Sequence, residues 1–256
     1  MRSLWRTASP ELLRDVGLVC LADGIVGVPF GAASVAGGLP WWVPVALSLL
    51  VFAGGSQIAA VGVVLAGGSP LAAVAAGAVL NTRLLPYGLA VADVVRPDGQ
   101  AGDGRWARTG RLLAGTHLIT DESTAFALRQ PSPERRRSAF WNCGAGLFVT
   151  WNAAVLLGVG LGSAIRNTSA FGLDATFPAV MLALALPTLT SRPTRIAAGT
   201  GALIAVALTP VLPAGLPLLA ALGGLATRWR SRRRQPDTSG RETDIKQEEL
   251  PAGGAR

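Results

Sequence analysis

Charge is what this sequence has least of. Only 15% of its 256 residues are Asp, Glu, Lys or Arg, and half are apolar, whereas an ordinary soluble domain carries about 25% charged residues. That deficit argues against a chain solvated by water on all sides and makes lipid the expected main solvent. Cysteine is nearly absent too. The two present, Cys20 and Cys143, lie inside apolar runs with no C-x-x-C spacing and no histidine beside them, which excludes a disulfide framework or a zinc site. The single histidine, His117, has no second His to complete a metal site, so neither metal nor cofactor is expected. No H-E-x-x-H, G-x-S-x-G or Walker A motif occurs, so signature hydrolytic or nucleotide chemistry has no carrier.

What charge there is, a net +8, is mostly Arg. It collects at Arg2, Arg6 and Arg14, in a few connectors, and in the tail at Arg228, Arg230, Arg232, Arg233 and Arg234. No aromatic-basic patch accompanies it, so nucleic acid is excluded as a partner. Cytoplasmic loops of membrane proteins concentrate positive charge in this way. The N-terminal arginines ahead of an apolar run imitate a signal peptide, but the many later runs make it a retained first helix.

The apolar runs cover 16–37, 43–66, 71–95, 112–128, 138–161, 174–190 and 194–210, with a last one ending near Thr227. Pro40, Trp41, Trp42 and Pro44 mark an interfacial turn after the first run, and Asp174 with Pro178 suits the start of the sixth. A span needs roughly 20 apolar residues, so the pattern predicts an all-α polytopic membrane protein of about seven or eight transmembrane helices. Residues 1–15 read as a cytoplasmic N-terminal segment, 16–227 as the transmembrane domain and 228–256 as a disordered, basic cytoplasmic tail. The expected place is the bacterial inner membrane, multi-pass, with both termini cytoplasmic. With about eight crossings the loops at 129–137 and 191–195 fall inside, as the charge rule asks. The 96–111 connector, with four Arg against two Asp, falls outside and resists that rule.

Polar residues inside these runs are the candidate site. Gly54, Gly55, Ser56 and Gln57 interrupt the middle of one run. Paired glycines cost a helix about 1 kcal/mol each, and the interruption is expected to unwind there and present a half-helix N-terminus near Ser56 and Gln57, suited to a carboxylate. Close helix packing through glycine is the alternative. Asn81, Arg83 and Tyr87 form the second group. Arg83 lies near the centre of its run and needs a partner or a cavity, while Pro86 is expected to free the Thr82 carbonyl. Arg83 either holds a substrate carboxylate or pairs with Asp121 or Glu122. The third group is His117, Thr120, Asp121 and Glu122, with His117 and Asp121 expected on one helix face. It suits proton coupling, an amine site or a structural polar cluster. Asp23 in the first run is a fourth candidate, with Arg83 possible as partner on charge alone. Asn142 and Asn152 are candidate interhelical hydrogen bonds, and Gly158 with Gly162 a packing step.

These residues carry a resemblance. Val51 to Gln57 (V-F-A-G-G-S-Q), Asn81-x-Arg83 with Tyr87-Gly88, Thr120-Asp121-Glu122, and Pro29-Phe30-Gly31 occur in the order and near the spacing of AzlC-type proteins, over about residues 10 to 227. The resemblance implies the large subunit of a two-component exporter of branched-chain amino acids, partnered by a small AzlD-type membrane protein and driven by the proton gradient. One departure stands out: the family usually has His directly after the Arg of N-x-R, and here Leu84 stands there. A transporter is therefore the leading expectation. Gln57 and the helix end at Ser56, or Arg83, would take the carboxylate, and Asp121 or Glu122 the amine. A membrane-embedded enzyme and a non-transporting scaffold or receptor subunit are the alternatives. The buried charges argue against the scaffold, and the missing catalytic signatures argue against the enzyme.

Overall fold

A serine with proline one or two residues after it opens three helices in this protein, and the reason is local. In the computed structural model, which describes residues 9–96, 105–164, 189–213 and 216–227 together with Leu182 and Leu186, Ser9 caps α1 (Pro10–Ala36) by accepting from the Leu12 N–H at 3.2 Å. Ser69 caps α4 (Pro70–Asn81) through the Ala72 N–H at 3.2 Å. Ser191 caps a later helix, Arg192–Leu208, through the Thr194 N–H at 3.3 Å. Each hydroxyl satisfies one of the donors that a helix start leaves free, and proline in the first turn needs none.

Between α1 and α4 lie α2 (Trp42–Leu50) and α3 (Gly54–Leu65); after α4 come α5 (Leu84–Ala90), α6 (Ala92–Val95), α7 (Arg105–His117), α8 (Asp121–Leu128) and α9 (Pro133–Ala164). The remaining described elements are α10 (Arg192–Leu208), α11 (Leu216–Ala220) and a 3-10 turn, Ala221–Gly224. The described residues are helical and contain no strand. The chain divides into two compact units, Met1–Leu186 with Pro213–Leu216, and Pro187–Leu212 with Pro217–Arg256.

In the first unit α1 lies along α9, α3 along α4, and α8 along α9. Glycine sets the α1–α9 distance. A methyl group placed on Gly158 would strike the Val28 carbonyl, and one on Gly162 would sit 2.6 Å from the Ala32 carbonyl oxygen. Small residues at such crossings let two backbones touch. Around this seam Phe30, Ile58, Phe140, Leu147, Trp151 and Val155 are buried, with the Phe30 and Trp151 rings stacked at 5.8 Å between centroids. In the second unit α10 packs on the 3-10 turn, where Gly201 and Gly224 make a similar close approach.

Several sequence expectations need correction. Two described helices, Pro10–Ala36 and Pro133–Ala164, are each long and apolar enough to cross a membrane unbroken. The runs at 43–66, 71–95 and 112–128 are each divided into shorter helices, so no single piece of them reaches spanning length. The basic stretch 129–137 is not all loop, because α9 begins at Pro133 and Arg135, Arg136 and Arg137 sit in its first turns. Likewise the 96–111 connector is helical from Arg105. The first run passes through Asp23 and Pro29 without interruption. The sixth run, 174–190, lies outside the described residues apart from Leu182, Leu186, Leu189 and Thr190, as does the tail 228–256.

The α1–α9 seam yields a stability prediction. Gly158→Val forces the two backbones apart and is expected to destabilise the protein by about 3 kcal/mol or more. Gly199→Ala, on a helix surface with no atom within 4 Å, is expected to be neutral or to stabilise by up to about 1 kcal/mol. Thermal unfolding of the purified variants checks both, and an unchanged Tm for Gly158→Val would refute the close contact.

Candidate functional site

Three helix breaks build the site: residues 51–53 between α2 and α3, 82–83 between α4 and α5, and 118–120 between α7 and α8. The first is held open by Phe52, whose φ of +45° lies in the left-handed region, a conformation costing a bulky residue about 1–3 kcal/mol. Burial offsets that cost. The Phe52 ring is 5% exposed and packs against His117 at 5.7 Å and edge-on to Phe148 at 5.1 Å. The Leu47 carbonyl accepts from the N–H groups of Val51 and Phe52, and also from Gln57 Nε2 at 3.1 Å. Gln57 Oε1 in turn accepts from Trp151 Nε1 at 3.2 Å. One glutamine amide therefore ties the end of α2, the start of α3 and the middle of α9 together. Ser48 adds a second tie by donating to Asn152 Oδ1 at 2.7 Å.

The glycines are not the unwound residues. Gly54 and Gly55 form the first turn of α3, so the half-helix begins at Gly54 rather than near Ser56 and Gln57. Gly54 is the one held to small size, while Gly55 has room for a methyl at ordinary contact distance. A methyl on Gly54 would press on the Trp151 indole at 3.1 Å, and one on Gly55 would meet Arg83 Nη2 at 3.4 Å. Ser56 donates to the Ala53 carbonyl at 2.9 Å.

Arg83 projects from the second break and pairs with Asp121 at 2.6 Å. Asp121 is the first residue of α8, after a reciprocal Thr120–Ser123 cap, where the helix dipole also favours a carboxylate. Of the acids left open for Arg83, namely Asp121, Glu122 and Asp23, the structure pairs it with Asp121. The side chains are 42% and 37% exposed, so a small solute can reach the pair. Asp121 Oδ1 is buried without a hydrogen-bond partner, as are Asn81 Oδ1 and Thr124 Oγ1.

Other expected arrangements differ. His117 ends α7 and Asp121 starts α8, so the break at 118–120 removes them from a common helix face. His117 packs tilted against Phe52 and edge-on to Phe148 instead. The Thr82 carbonyl is not free, since the Leu85 N–H donates to it at 3.2 Å. Asn142 bonds within its own helix, to the Ser138 carbonyl at 2.7 Å, whereas Asn152 does bridge helices. Asp23 lies within electrostatic reach of Glu122 rather than on Arg83. Tyr87 is half-buried on α5, one turn beyond Arg83.

Sequence reasoning gave no functional weight to Phe52, Ser48 or Asp93. Asp93 pairs with Arg136 at 3.0 Å and Arg136 also reaches the Ala90 carbonyl, joining α5 and α6 to α9. Phe52, flanking a glycine pair in the middle of an apolar run, carried a usable signal. Asp93 and Arg136 carried none, because their partnership spans a distant loop.

Between α2, α3 and α4 is a cavity of about 370 Å³ whose polar lining residues are Ser56, Gln57 and Asn81. Residues 19–165, the stretch carrying α2 to α9 and most of α1, match the family model described as AzlC protein. The chain belongs to the AzlC family. No curated protein and no solved structure matches it. AzlC membership implies a role related to branched-chain amino-acid transport, and AzlC proteins in general work with an AzlD partner.

The glutamine tie is testable. Trp151→Phe leaves Gln57 Oε1 without its buried donor and Gln57→Leu does the same to Trp151 Nε1, so each is expected to cost about 1–3 kcal/mol. The double variant should cost about 0.5–3 kcal/mol less than the sum, because the interaction is lost only once. A double-mutant cycle by denaturant unfolding measures this, and simple additivity would disprove the coupling.

Proposed function

We propose that this AzlC protein is the membrane-embedded large subunit of an exporter of branched-chain amino acids. In this reading it carries valine, leucine, isoleucine and methionine by proton-coupled secondary transport, with a small AzlD-type subunit, in the bacterial inner membrane with both termini cytoplasmic. The observation that carries the reading is the Arg83–Asp121 pair at 2.6 Å, set where breaks of separate helices meet. A zwitterion presents one carboxylate and one ammonium group. By entering the pair it gives Arg83 the carboxylate and Asp121 the amine, replacing each charge's partner with one of the same sign. Such exchange suits a transporter, because binding remains reversible.

Membrane embedding draws support from α1 and α9, of 27 and 32 residues, and from outward apolar side chains such as Leu50, Leu71 and Leu89, each more than three-quarters exposed. Discontinuous helices whose freed backbone is satisfied inside the protein are the form irregular structure takes at membrane depth. In this reading Asp23, His117, Thr120 and Glu122 belong to proton handling. The side-by-side acids Asp121 and Glu122, with Asp23 in electrostatic reach of the latter, form the acidic part of the relay. Since Leu84 stands in the place of the usual family histidine, His117 is the imidazole left to serve.

Arg83→Ala is expected to lower valine flux by about a hundredfold or more while the protein still inserts in the membrane. Uptake of labelled valine into everted vesicles, with and without a pH gradient, measures the flux. Wild-type rates from the variant would remove Arg83 from the site.

A further inference from the structure

The cavity between α2, α3 and α4 has the polarity gradient of an amino acid. The two helices α3 and α4 run antiparallel, joined by the turn at 66–69, so Ser56 and Asn81 lie at the end of the cavity beside the helix breaks. Val64 and Pro70 lie at the opposite end. Contacts support this register: a methyl on Gly77 of α4 would sit 3.5 Å from the Ser56 carbonyl oxygen. At the polar end, Arg83 Nη2 approaches Gly55, and Asn81 Oδ1 is buried without a donor. Beyond Ser56, Gln57 and Asn81, the walls are aliphatic, including Val43, Leu47, Val64 and Ala73.

We infer that this cavity is the side-chain subsite for the transported amino acid. The aliphatic group enters between α3 and α4, with the charged end held at Arg83 and Asp121 and the unpaired Asn81 acceptor taking a hydrogen from the ammonium group. The inference rests on the transport reading and adds to it the place where substrate size is read. A volume of about 370 Å³ falls within the range of about 300–1,000 Å³ typical of small-ligand pockets. Its apolar depth favours a branched aliphatic chain over a polar one, which would lose its hydration without compensation. Gly77 is then the size-setting position. Its missing side chain leaves room at the level where the substrate chain enters, and an added methyl meets its neighbours only at ordinary contact distance.

Gly77→Ala therefore narrows the cavity without displacing the backbone, while Val64→Ala lengthens its far end. In everted membrane vesicles containing the full chain, uptake of labelled leucine is competed with unlabelled leucine, isoleucine, valine, methionine, phenylalanine and alanine. Gly77→Ala is expected to weaken leucine and isoleucine about tenfold relative to alanine, since one methylene in an apolar pocket is worth roughly that factor or more. Val64→Ala is expected to shift preference the other way, towards methionine and phenylalanine. Either variant decides alone if the other fails to insert. A native order of preference in the inserted variants, or equal weakening of every substrate, overturns the inference and leaves the transport reading standing. Native vesicles that carry none of these amino acids overturn both.

Discussion

A helix that stops halfway leaves carbonyl and amide groups with nothing to bond, and in an apolar interior each one left alone is costly. In this protein that constraint falls hardest on residues 51–53, between α2 and α3. There the Leu47 carbonyl accepts from the Val51 and Phe52 N–H groups, and Gln57 adds its own amide hydrogen to that carbonyl while its amide oxygen accepts from Trp151 Nε1. Because Trp151 is buried in α9 and stacked on Phe30 of α1, the break is moored to the longest described helices. Remove that mooring and the strained Phe52 backbone, the His117 contact and the position of Gly55 beside Arg83 lose their common support.

The same solution recurs with different chemistry at the other breaks. Between α7 and α8 the Thr120–Ser123 cap closes the new helix start, and Ser123 also donates to the Leu118 carbonyl at 2.8 Å. Between α4 and α5, Thr82 bonds back to the Val79 carbonyl at 2.7 Å, which leaves Arg83 free to reach Asp121. Backbone satisfaction at these two breaks is local; the ion pair joins them. In the proposed transport reading, the exposed Arg83–Asp121 pair is the part of the site that a zwitterion would exchange with. The capped helices supply fixed geometry, and the Arg83–Asp121 contact supplies the part that changes.

Much of the site was legible as chemistry before it was legible as geometry. Arg83 in the middle of an apolar run required a partner, and the candidates Asp121 and Glu122 included the one that the fold brings to it. The glycine pair at 54 and 55 pointed to an interruption, yet the unwound residues are its neighbours, because Phe52 can place its ring in a buried aromatic cluster while Gly54 makes room for Trp151. The four-residue spacing of His117 and Asp121 was misleading. Helical periodicity applies only within one helix, and the Thr120 cap restarts the helix between them.

Composition and pattern alone determined the helical class, the apolar runs, their polar interruptions and the AzlC resemblance, since these depend on residue type and local spacing. Helix starts at Ser9, Ser69 and Ser191 belong to the same category, because a cap is completed within a few residues. Only the tertiary structure decided that Gln57 meets Trp151, that Arg83 takes Asp121 rather than Asp23, that Asp93 meets Arg136, and that a cavity opens between α2, α3 and α4. Each of these depends on the distance between segments remote in sequence. That distance is set by how closely glycine allows helices such as α1 and α9 to approach, and no local rule contains it.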